Sequence, residues 1–157
     1  MSRTTVALFL LAALAPAVSH ALSPEASEGQ AFFPACHVCH NPTLDPPLGP
    51  PMWGVQRRYR NASLDREDFV ERIIAFVKAP SLEQALITPA VERMGLMPAL
   101  PLPDDMLRKI AAYIWEADFA PPCEHWRNAA RWAESTGDGA HAAHDAQMLQ
   151  RFCSERP

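Results

Sequence analysis

The sequence predicts an all-α fold, with a helical domain over residues 22–120 and a helical hairpin over 121–157. Three observations support this. No run alternates β-branched and polar residues as a half-buried strand does. Apolar residues recur at helical spacing in two stretches, Phe69 to Val77 and Leu107 to Ile114. Sixteen prolines stand against six glycines, which suits stiff connections between short helices. Hydrophobic residues are 48% of the 157 and charged residues 20%, a balance that excludes general disorder. The formal net charge of -4, with no basic footprint, excludes a dedicated nucleic-acid binder.

Residues 1–21 read as a signal peptide. Arg3 gives a positive start, Val6 to Ala15 is an unbroken apolar run, and Ser19-His20-Ala21 offers small residues for cleavage after Ala21. The run is about half of the roughly 20 residues a spanning helix needs. No second such run follows, so no membrane span is expected in the mature chain. The expected location is the periplasm, an oxidising compartment where disulfides persist.

Cys36-His37-Val38-Cys39-His40 has the C-x-x-C-H spacing of covalent haem c attachment. Two thiols form thioethers with the haem vinyl groups, and the following histidine supplies an axial imidazole to the iron. No strand pattern supports a thioredoxin-like reading, and no second ligand pair supports a zinc site. There is one motif, hence one haem. His37, between the thiols, is expected to face solvent.

Ser63 is a suitable N-cap for a helix over 64–78. Phe69, Val70, Ile73, Ile74 and Val77 form its apolar stripe, and Pro80 stops it. Met97, in Gly95-Leu96-Met97-Pro98, lies between two helical patterns, where a loop can present a thioether as the second axial ligand of the iron. Met94 is the alternative, and Met106 reads as core filler. Asp104 or Asp105 opens the next helix, whose buried face is Leu107, Ile110, Ala111 and Ile114.

Pro121-Pro122 breaks the chain. Helices are expected over 123–135 and about 139–153, around Thr136-Gly137-Asp138-Gly139. Cys123 and Cys153 are the two cysteines that the haem motif does not use, and a disulfide between them would close this hairpin. Such a loop stabilises by about 3–4 kcal/mol in the chain-entropy model. His141, His144 and Met148, with His125, could hold a soft-to-intermediate metal, but histidines on an alanine-rich helix surface are the preferred reading. Arg57-Arg58-Tyr59-Arg60 is the single basic cluster. It is read as a solvated loop, or as an arginine pairing with a haem propionate, in preference to a dock for an acidic partner.

Over about residues 26–119 these features resemble the class I cytochrome c family, in the family's order. Phe32 lies four residues before Cys36, where the family's N-terminal helix carries an aromatic, and Gly29 is one residue off the family's helix-crossing glycine. The haem motif follows. Leu48-Gly49-Pro50 resembles the family's Gly-Pro turn, which implies that the Pro50 carbonyl region accepts the imidazole N–H and orients His40. The segment Ile110 to Ile114 looks like the C-terminal helix that crosses the N-terminal one, which implies Phe32 packing near Ile110 and Tyr113. The minimal family domain ends before residues 121–157.

The function expected is therefore single-electron transfer between a redox protein donor and an acceptor, with no catalytic residues and no enzyme activity. One alternative is an electron-transfer subunit of a larger dehydrogenase or oxidase complex, with 121–157 as the docking element. Another is a haem-based gas sensor or enzyme, if the position opposite His40 is open.

Overall fold

The computed structural model describes residues 21–153, so the signal-peptide reading lies, except for Ala21, outside the described residues. These hold eight α-helices and no strand. In order they are α1 (Pro24–Phe32), α2 (Pro34–His40), α3 (Met52–Ala62), α4 (Arg66–Lys78), α5 (Thr88–Met94), α6 (Asp104–Glu116), α7 (Cys123–Thr136) and α8 (Gly139–Phe152). Among the described residues no helix is long and apolar enough to cross a membrane.

Proline and short polar side chains punctuate the chain. Ser23 caps α1 by accepting the Ala26 N–H, with Pro24 in the first turn. Pro34 has no N–H to continue α1 and opens α2 instead. The cap of α4 is Asp65, which accepts the Asp68 N–H; it is not Ser63, whose hydroxyl donates back to the Tyr59 carbonyl at the end of α3. The helix therefore starts at Arg66 rather than at 64. An aspartate two residues nearer the apolar stripe caps it and adds negative charge at the positive helix end. Gly137, at φ 79°, ends α7 in a left-handed cap, and Asp138 then caps α8 through the His141 N–H.

The core forms where α1, α3 and α4 meet α6. Phe69, Val70, Ile73, Leu107, Ile110 and Ala111 are among its most buried members. Helices α1 and α6 cross backbone to backbone at Gly29, where an added Cβ would lie 1.8 Å from the Lys109 carbonyl oxygen. The one-residue offset of this glycine shifts the aromatic as well. Phe33, one helical turn after Gly29, is buried and packs at 5.0 Å against Tyr113 and 5.5 Å against Phe119, whereas Phe32 is 37% exposed. The expected packing of Phe32 near Ile110 and Tyr113 is thus taken over by its neighbour.

The basic cluster is helical, not a loop. On α3, Arg60 donates to the Trp115 carbonyl and Arg58 Nε to the Leu86 carbonyl at 2.8 Å, while Tyr59 is buried. Buried Gln56 donates to the Ile114 and Ala117 carbonyls at 2.6 Å each. These bonds satisfy carbonyls that the end of α6 leaves without helical partners. Beyond residue 120, α7 and α8 pair with each other. The Cys123 and Cys153 sulfurs are bonded at 2.05 Å and join the hairpin's two ends.

Candidate functional site

An apolar cavity lies among α2, the 48–50 turn, α3, α4, α5, the 95–102 segment and α6. Cys36, Cys39 and His40 line it from α2, and Met94 and Met97 line it from the end of α5 and the loop beyond. The chemistry-bearing residues read from the sequence are thus brought to one cavity. Phe33 and Pro34 set the start of α2, and its helical pitch turns Cys36, Cys39 and His40, at i, i+3 and i+4, to one side.

His40 Nδ1 stands 2.7 Å from the Pro50 carbonyl oxygen. A carbonyl can only accept, so Nδ1 carries the proton, and in the neutral ring Nε2 keeps a free lone pair. Burial pushes this imidazole below its ordinary range; the Pro50 bond opposes that in part. Gly49 keeps the turn close: a Cβ there would meet the Cys39 carbonyl oxygen at 3.3 Å and the His40 ring at 3.4 Å. Cys36 and Cys39 are free thiols. Burial, then the neighbouring Cys39, pushes the Cys36 thiol up, so it remains protonated near neutrality.

The methionine side is a loop held at both ends. Gly95, at φ 81°, ends α5 with its N–H on the Val91 carbonyl, and the Leu100 N–H returns to the Val77 carbonyl of α4 at 3.0 Å. Met97 lies between these two anchors. Among the described residues no group of three or more histidine, cysteine, aspartate or glutamate side chains is arranged to hold a metal ion, and that includes the histidines of α8. Soft donors around an apolar wall suit a metal that arrives inside an apolar organic ligand, not a bare ion.

The reading from sequence missed the contribution of α3. Met52, Val55 and Tyr59 line the cavity, and Tyr59 has a buried hydroxyl without a hydrogen-bond partner. Burial pushes this phenol up to about 12. The signal was present, since Met52, Val55, Gln56 and Tyr59 fall at i, i+3, i+4 and i+7. One polar member and three arginines obscured it. The walls from α5, Ala90 and Val91, lie in a helix too short to show a period. His37 is exposed and tilts against the Phe33 ring.

No family model, curated protein or solved structure matches the chain.

Proposed function

We propose that this protein is an exported monohaem c-type cytochrome, resembling class I, that carries single electrons between a donor and an acceptor protein. The observation that supports this reading best is the meeting of two free thiols, a neutral imidazole oriented by Pro50, and two methionines at one apolar cavity. The residues present fit a haem. Apolar walls suit the porphyrin faces, and the unpartnered Tyr59 hydroxyl offers a buried donor for a polar edge.

Cys36 and Cys39 would each add a thiol across one vinyl group, the sulfur bonding one carbon and the hydrogen going to the other, so that no atom is lost. His40 would ligate iron through Nε2, and the Pro50 carbonyl holds the ring against rotation and raises its basicity. Met97 would be the second protein ligand of the iron, because the Gly95 turn frees it from the helix that holds Met94. When bound, the haem supplies one ferric/ferrous couple, and histidine–methionine ligation sets it at a raised potential. The apolar walls would keep water away from the bound group.

The test is expression with c-type maturation in a periplasm. The expected product holds haem through denaturing electrophoresis, and Cys36→Ala with Cys39→Ala abolishes this. Reduced wild-type protein should keep its low-spin visible spectrum under carbon monoxide. A protein recovered without covalent haem would sink the proposal. Immediate formation of a carbon monoxide adduct would replace the carrier reading with sensing or catalysis.

A further inference from the structure

Helix α5 and the hairpin α7–α8 are the most thinly attached parts of the described structure; neither packs broadly against another helix apart from the pairing of α7 with α8. They are joined to each other. Arg93, in the last turn of α5, reaches both ring nitrogens of His141 on α8 with its guanidinium. His141 Nε2 lies 2.7 Å from Oδ2 of Asp145, one turn further on, and Asp145 is only 4% exposed. The approach of His141 Nε2 to that carboxylate is one of distance and charge, because Oδ2 accepts no hydrogen bond; the ring's hydrogen-bond partner is the Arg93 guanidinium, which donates to it.

His144 Nδ1 reaches the other carboxylate oxygen at 3.2 Å. His125 faces the same group from α7; burial holds its imidazole below the ordinary range, and Asp145 draws it part of the way back. A carboxylate buried on so small a hairpin is costly unless it is paired. Its Oδ2 stands against the ring that meets Arg93.

The hairpin grips the cavity wall at a second place. Trp126 and Phe152 meet Trp53 of α3 edge to face at 5.3 and 5.1 Å, and the disulfide at Cys153 adjoins Phe152. Met52, the residue before Trp53, lines the cavity.

We infer that the hairpin positions the methionine side of the cavity: His141, with the Asp145 carboxylate beside it, holds Arg93, and Arg93 holds α5 and the Met97 segment that follows it. Arg93 and His141 are positioning residues; neither lines the cavity. The geometry stands by itself, while the effect on an iron ligand rests on the cytochrome reading.

The experiment compares full-length wild-type protein with Arg93→Ala, His141→Ala and Arg93→Lys. Trp132→Ala, on the exposed side of the hairpin, is the control. One readout is the rate of carbon monoxide binding to the reduced haem protein, and the other is amide hydrogen exchange over residues 88–97. Arg93→Ala and His141→Ala should each raise the binding rate by roughly two- to thirtyfold. Exchange in 88–97 should rise with it at unchanged haem content. Arg93→Lys should restore part of the effect, and the control should match wild type. Arg93 is exposed, so its loss leaves the core intact. Wild-type rates and exchange in both alanine variants would overturn the inference. If the wild-type protein took up no haem, the cytochrome reading would fail and hydrogen exchange alone would decide the positioning role.

Discussion

At the scale of single residues, Gly29 decides how α1 and α6 meet. A methyl group there would overlap the Lys109 carbonyl carbon at 2.4 Å and oxygen at 1.8 Å, and both atoms belong to backbone that cannot rotate away. Gly29→Ala should therefore cost about 1–3 kcal/mol or more, the range of overpacked cores. Urea denaturation checks this, and an unshifted midpoint would show that the helices separate without penalty. The same position shows what the sequence could and could not reveal. A glycine and an aromatic before the C-x-x-C-H motif were legible, but Phe32 and Phe33 are adjacent. Which of them turns inward depends on the crossing at Gly29, a contact between segments some 80 residues apart in the chain. Cys36, Cys39 and His40 were legible because their spacing alone brings them to one side of a helix. The Tyr59 hydroxyl was not, since its burial follows from packing against α4, with Phe69 and Phe76 at 6.3 Å each.

At the scale of elements, helices with long apolar stripes were readable and short ones were not. The stripes of α4 and α6 each run through two or more turns, so their faces followed from periodicity. Helix α5 has seven residues, too few for a period to emerge, and α3 hides its buried face among arginines whose guanidinium groups bond carbonyls of neighbouring segments. The hairpin was legible from Pro121-Pro122, the central glycines and the paired cysteines. Its own buried surface is small, with Trp126, Ala133 and Ala142 as its buried apolar residues. Replacing Cys123 and Cys153 together by serine should lower its stability by about 3–4 kcal/mol. Hydrogen exchange should then rise over residues 123–153 while α1, α4 and α6 keep their protection. Loss of protection in all helices together would mean that the hairpin and the domain unfold as one unit.

At the scale of the whole molecule, several helices spend their apolar faces on a cavity instead of on one another. Val55, Ile73, Leu107, Ile110 and Ile114 all border it. A chain without a group in that space loses packing on each of these faces. The haem-loaded protein should thus resist denaturation better than the Cys36→Ala, Cys39→Ala chain purified free of haem, by at least about 3 kcal/mol, the scale of one large core truncation. Equal midpoints would argue that the cavity is not where the cofactor resides. The adjacency of Met52 and Trp53 has an optical consequence. One residue lines the cavity and the next meets Trp126 edge to face, which would bring two indoles close to a haem held in that cavity, a group that absorbs at the wavelengths where they emit. Trp115, on Phe69 in the core, joins them, while Trp132 faces outward from α7, the helix that also carries Trp126. A haem-loaded protein would then be nearly dark in tryptophan fluorescence, and its own indoles would brighten as the hairpin and the core come apart.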